Sequence, residues 1–172
     1  MKSSQLLLAL LVVVPAIPAC DLKSIVSDIV AQKDGGPSDA GGSGVCNTLV
    51  NAAPVVSKTT NAGPTPAATG GTIADGTYFL TRMDKWNGIT GANTHKETWV
   101  FSSGTIQVVT DNESDGGTKH ASGTYATSGS TLTFTVTCPG AQTVSMPFTA
   151  TATELTTINA DDPNESHTYT KQ

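Results

Sequence analysis

Two runs of strict alternation near the C-terminus constrain the fold more than any other feature of this chain. Leu132, Phe134, Val136 and Cys138 fall on one face of an extended segment, and Thr131, Thr133, Thr135 and Thr137 fall on the other. The next run repeats the rule: Val144, Met146, Phe148 and Ala150 oppose Thr143, Ser145, Pro147 and Thr149, with Pro139-Gly140 supplying the turn between. A period of two over adjacent runs predicts an antiparallel hairpin with one buried and one solvated face. Pro147 has no N–H to give the ladder, which predicts an edge or a bulge at that point.

Six further runs follow the same habit: Thr77 to Met83, Lys96 to Ser102, Thr105 to Asp111, Lys119 to Thr127, Glu154 to Asn159 and His167 to Lys171. Turn signals separate them at Ser102-Ser103-Gly104, Ser114-Asp115-Gly116-Gly117 and Ser128-Gly129-Ser130, and no helical pattern interrupts them. Eight short strands predict an all-β fold, an antiparallel up-and-down barrel or a sandwich. Every Phe, Trp and Tyr lies beyond position 77, so the core is C-terminal and the domain spans residues 72–172.

The N-terminus carries an address. Lys2 is followed by the apolar stretch Leu6 to Val14 and then by small residues, the pattern of a secretory signal peptide over residues 1–19 that is too short to span a bilayer. Ile17-Pro18-Ala19-Cys20 resembles the bacterial lipobox, with Pro18 departing from the usual pattern; the resemblance implies lipid attachment to Cys20. The alternative is a soluble exported protein cleaved near Ala16 or Ala19. Two acyl chains, at roughly 0.8 kcal/mol per buried methylene, suffice for stable anchoring. The expected location is the bacterial cell envelope, at the outer membrane. Asp21 resembles a signal for inner-membrane retention, and a short amphipathic pattern runs from Leu22 to Val30.

Residues 20–71 read as a lipidated N-terminus and a flexible Pro/Gly/Ala-rich tether, with stretches such as Gly35-Gly36-Pro37 and Pro64-Thr65-Pro66 opposing helix and sheet alike. An apolar island at 45–56, containing Cys46, Leu49, Val50, Val55 and Val56, is expected to dock on the barrel. With Cys20 assigned to lipid, Cys46 and Cys138 remain as an even pair in an oxidising compartment. A disulfide is the simple outcome and two unpaired thiols the alternative.

Gly76-Thr77-Tyr78, recurring as Gly123-Thr124-Tyr125, resembles the Gly-x-Trp start of lipocalin-like barrels with Tyr in place of Trp. That resemblance implies the eight-stranded fold more than ligand binding. The whole arrangement of lipobox, tether, Cys-bearing island and Ala-Asp-Gly-Thr-Tyr start is similar to uncharacterised lipoproteins of myxobacteria.

Few residues suggest chemistry. Asp111 to Gly116 resembles the first half of an EF-hand loop, but Ser122 stands where a bidentate Glu is needed, so a solvated turn is expected and no metal. His95, His120 and His167 are spaced too widely for a local metal motif and read as surface histidines. Asp161, Asp162 and Glu165 read as ordinary turn chemistry beside Pro163. No nucleophile motif is present, so neither a catalytic residue nor a cofactor is expected. A net charge of -5 with scattered Lys and Arg excludes a nucleic-acid surface. Trp86, in a long Gly-rich loop, and Trp99, Phe101 and Phe134, on barrel strands, are the candidate contacts for a small apolar ligand. The expected role is a non-enzymatic structural or surface-interaction module held to the membrane by its lipid and contacting another envelope protein. The alternatives are a lipocalin-like binder of a small apolar ligand and an envelope enzyme or enzyme inhibitor.

Overall fold

The computed structural model describes residues 46–112 and 117–172. Cys20, the signal segment and the first part of the tether lie outside the described residues, as does the centre of the EF-hand-like turn.

The described residues form nine strands in one sheet: β1 (Val56–Thr60), β2 (Gly76–Lys85), β3 (Thr94–Ser102), β4 (Thr105–Asn112), β5 (Thr118–Ser128), β6 (Thr131–Cys138), β7 (Gln142–Ala150), β8 (Glu154–Ile158) and β9 (Glu165–Lys171). From β2 to β9 each strand pairs antiparallel with the next, and β9 pairs back onto β2, so the sheet closes in a ring. Closure removes the exposed ladder that an open sheet of this length would present.

The expected count of eight strands is corrected to nine by β1. Strand β2 pairs with β3 only from Gly76 to Phe79. A register shift between Leu80 and Arg82 then turns β2 toward β9, and β2 and β3 part. Strand β1 fills the gap, running parallel to Met83–Lys85 of β2 and antiparallel to Thr94 and His95 of β3. Its sequence, Val56-Ser57-Lys58-Thr59-Thr60, is rich in β-branched residues. Pro147 pairs with Thr131 of β6, while β8 joins β7 only from Phe148 onward, so at Pro147 the strand has one neighbour.

Inward-facing apolar side chains fill the ring. Trp99, Tyr78, Tyr169, Phe101, Phe148, Leu80 and Leu155 are fully buried there, and Phe134 and Met146 are nearly so. The rings interlock: Trp99 lies 4.2 Å from Tyr169 between centroids and meets Phe134 edge-on at 5.2 Å, and Phe101 meets Tyr78 edge-on at 5.4 Å.

The island crosses the outer face of β3–β5. Asn47 Nδ2 donates to Val108 O and Ala121 O at 3.1 and 2.7 Å, and Asn51 Nδ2 donates to Lys96 O at 3.0 Å. Ala53 and Val109 are buried yet stand outside the interior cluster, which marks a small second layer beneath the island. A disulfide joins Cys46 to Cys138 on β6, across a sequence separation of 92.

Candidate functional site

Two places on the described structure gather chemistry: one end of the ring interior and a cleft on its outer wall.

The interior end is built by alternation. On β3 the residues that share a face with Trp99 and Phe101 are His95 and Glu97, and on β9 the residues that share a face with Tyr169 are Glu165 and His167. Beyond the register shift, Lys85 of β2 joins them, as does Lys58 of β1. All but Lys58 are buried, and the Lys58 side chain is only 13% exposed. The charges are committed to one another. Glu165 Oε2 accepts from Lys58 Nζ at 2.8 Å and from Lys85 Nζ at 3.1 Å, and Glu165 Oε1 lies 2.9 Å from His167 Nε2. Lys85 Nζ also pairs with Asp162. Deeper in the ring, Tyr169 Oη donates to Glu97 Oε2 at 2.7 Å.

Electrostatics follow from that packing. Burial alone would raise the Glu165 carboxyl, but the hydrogen bonds and charges of His167 and Lys58 outweigh it and hold the group well below the ordinary carboxylate range. His95 is pushed down, first by burial and then by the nearby His167 and Lys58, against the opposing pull of Glu97. Burial followed by Glu97 pushes the Tyr169 hydroxyl well up. Four buried polar atoms on neighbouring inward positions, His95 Nε2, Glu97 Oε1, Trp99 Nε1 and Thr110 Oγ1, have no hydrogen-bond partner among the described protein groups. Thr110 is the direct cross-strand partner of Glu97.

The reading of His95 and His167 as surface histidines is therefore corrected: their rings face each other at 6.0 Å inside the fold. His120 is half-buried, with Nδ1 2.9 Å from Asn47 Oδ1 under the island. Glu165 is corrected likewise, from a turn residue to the hub of the interior ion pairs. Asp111 accepts a hydrogen bond from Asn51 Nδ2 at 2.9 Å.

The outer cleft arises from a stretch that composition assigns to the tether. Residues 61–71 run as a strap over the outside of the ring from β2 to β7. At one end Asn61 N donates to Lys85 O, and Asn87 N donates to Gly63 O. In the middle Thr65 Oγ1 donates to Pro163 O at 2.7 Å. At the far end Gly70 N donates to Phe148 O at 2.8 Å, and Ala150 N donates to Gly70 O at 2.9 Å. Between strap and wall lies a half-open cleft of about 260 Å³, lined by Pro66 and Ala68 of the strap and by Arg82, Trp86, Thr156 and Ile158 of the wall. Trp86 Nε1 donates to Ser166 Oγ at 2.9 Å, which fixes the indole, and Arg82 Nε donates to Asp84 Oδ2 at 2.8 Å.

Of the four aromatic residues picked out by sequence, Trp99, Phe101 and Phe134 lie together in the interior core, and Trp86 stands apart at the outer cleft. They do not form one site. Sequence reasoning missed Glu97, Glu165, Lys58 and Lys85 as interior groups. The signal that could have found them was present as His95-x-Glu97-x-Trp99-x-Phe101 and Glu165-x-His167-x-Tyr169, two period-two runs whose apolar ends belong to the core. Compared with protein-family models, with curated proteins and with solved structures, the chain matches none of them.

Proposed function

We propose that this chain is a lipid-anchored protein of a bacterial cell envelope whose ring of strands is a lipocalin-like up-and-down barrel, and that it works as a non-enzymatic surface-interaction module. The observation that carries this reading is the filled interior, in which Trp99, Tyr169, Phe101, Tyr78 and Phe148 interlock where a carrier would keep space. A ring of eight strands encloses room for packed side chains or for one small ligand, and here side chains occupy it. The Ile17-Pro18-Ala19-Cys20 sequence supports the anchor.

A second reading, an envelope enzyme, draws on the buried cluster of His95, Glu97, Glu165, His167 and Tyr169. Glu165 and Tyr169 are each already bonded to a partner inside the fold, and a general base must be within reach of a substrate proton. The module reading therefore leads.

Expression of the full chain in a bacterial host, with an alkynyl palmitate label and native mass spectrometry from detergent, tests both halves. Label incorporation that Cys20→Ala abolishes, together with an apo mass, is the expected result. A stoichiometric apolar molecule on the released protein would replace the module reading with a carrier, and an unlabelled protein in the soluble fraction would overturn the anchor.

A further inference from the structure

The island at 46–56 has two faces. Asn47, Asn51 and Ala53 turn to the wall of β3–β5, and Thr48, Val50, Ala52 and Pro54 alternate with them toward solvent, followed by Val55. The inner face accounts for the docking, because both asparagine side chains bond strand carbonyls and Ala53 closes the small second layer. Docking does not account for the outer face. Val50 is 81% exposed and Val55 62%, the highest values of any large hydrophobic side chain among the described residues. A single exposed valine is ordinary, but four outward apolar residues from Val50 to Val55 make a patch. No residue from Cys46 to Ser57 carries a charge. The charges beside the patch are compensated: Lys96 and Asp111 are direct cross-strand partners, and Lys58 pairs with Glu165.

The route of the chain points to what covers this face. The segment that carries Cys20 joins the folded ring at Cys46, which the disulfide pins to Cys138, and the island begins at that point. A chain from Cys20 to Cys46 extends no further than roughly 90 Å, so a lipid on Cys20 holds the island within that distance of a bilayer at all times. The composition of the patch fits the same neighbour. Aliphatic side chains gain by entering the boundary between headgroups and acyl chains in proportion to their apolar area, and here no charged group has to be desolvated on the way in. Net charge adds an orientation. The chain carries -5, all of it outside the island, so an anionic bilayer repels the rest of the molecule and the uncharged island approaches at least cost. Protein interfaces of about 800 Å² per partner draw on aromatic and arginine anchors, whereas this face offers Val, Ala and Pro.

We propose that the outward face of the island, Val50, Ala52, Pro54 and Val55, is a membrane-contact surface that seats the ring on the bilayer carrying its lipid. The proposal names the partner of the surface-interaction reading and rests on its anchor.

Methyl NMR of the full, lipid-bearing chain in nanodiscs of phosphatidylethanolamine and phosphatidylglycerol, with a nitroxide on the acyl chains, tests the proposal. The methyl resonances of Val50, Ala52 and Val55 are expected to broaden strongly. That of Ala152, exposed in the β7–β8 turn at the opposite end of the ring, should stay sharp. The double variant Val50→Ser/Val55→Ser alters exposed side chains and should leave the thermal midpoint unchanged while the broadening at Ala52 falls several-fold. Broadening at Ala152 equal to that at Val50, or broadening at Ala52 that the double variant leaves intact, would overturn the proposal. A photoreactive phenylalanine derivative in place of Val50, in the full chain expressed in a bacterial host, identifies the occupant. A lipid adduct is expected; a protein adduct, or no adduct, would overturn the membrane contact. Palmitate-labelled protein with sharp valine resonances would remove this inference and leave the anchor standing, and a chain that takes up no label would remove the anchored reading itself.

Discussion

The Tyr169 hydroxyl donates to Glu97 Oε2 at 2.7 Å, joining β9 to β3 through the interior, and neither side chain has any solvent exposure. A buried carboxylate depends on its donors, because desolvation without them costs several kcal/mol. Glu97 Oε1 has no partner among the described groups, so the tyrosine is its one hydrogen-bond donor there. Tyr169→Phe is expected to lower stability by about 1–3 kcal/mol, with the ring packing against Trp99 retained. Glu97→Gln, which keeps an acceptor for the hydroxyl, should cost less. Urea unfolding midpoints of the two variants decide the matter; Glu97→Gln as damaging as Tyr169→Phe would mean that the stabilisation depends on more than that one hydrogen bond.

Stability should fall on acidification in two stages with the same sign. His95 has a depressed folded-state pKa, so the unfolded chain takes up its proton first and stability drains away as pH falls below about 6.5. Its neighbours Lys58 and His167 oppose its protonation and Glu97 and Glu165 favour it, with burial the largest influence. Glu165 is also depressed, and its contribution, full above the unfolded value near 4.5, is lost as pH falls through that value toward the lower folded one. Denaturation midpoints measured from pH 8 to pH 3 should be level above neutrality, decline below 6.5 and steepen below 4.5. His95→Gln should flatten the first decline and Glu165→Gln the second.

The disulfide and Asn47 hold the same segment by different means. Cys46 ties the island covalently to β6, and the next residue spans β4 and β5 by bonding Val108 O and Ala121 O. Reduction is expected to cost up to about 4–5 kcal/mol for a loop of this length in the chain-entropy view. Asn47→Ala leaves two strand carbonyls short of a donor and should cost about 1–3 kcal/mol. The two effects should couple: Asn47→Ala should lower the denaturation midpoint more in the reduced protein than in the oxidised one, because either tie alone keeps the island on β4–β6. Equal losses in the two states would show that the disulfide and the side chain act independently.

Eight of the nine strands could be read from period-two alternation because half-buried strands carry their burial in the sequence. The runs that start at Lys96 and His167 are each shorter than the strand they mark, and the physical reason is specific. His95 and Glu165 are titratable residues on an inward face, so hydropathy marks the end of a strand where the structure continues it. Strand β1 was invisible for a different reason: it exists because β2 and β3 part after the register shift, a tertiary event that no local pattern of Val56–Thr60 announces. The strap is a third case. Pro, Gly and Ala are what a flexible linker uses, and they are also what a chain uses when it must lie flat and close against another backbone. Composition does not separate the two, and so the outer cleft, with Trp86 on its wall, was beyond reach of the sequence.

The repeated Gly-Thr-Tyr offers a sharper test, because its two glycines are required for different reasons. At Gly123, the register of β5 against β6 shifts between Ser122 and Gly123, and an added Cβ would lie 2.2 Å from Thr135 O and 2.9 Å from Val136 Cα. The clash is with backbone on the neighbouring strand, so Gly123→Ala must push β5 off β6 and should cost about 1–3 kcal/mol or more. At Gly76 the nearest atoms are the far end of the Lys171 side chain, which can swing away, but φ is +148° and disfavours any side chain. Gly76→Ala should therefore be damaging through its own backbone and insensitive to Lys171→Ala. Gly123→Ala should be relieved by no side-chain truncation at all. Thermal midpoints of the two single variants and of the Gly76→Ala/Lys171→Ala double variant separate the cases; rescue of Gly76→Ala by Lys171→Ala would mean that crowding, rather than φ, selects glycine at the start of β2.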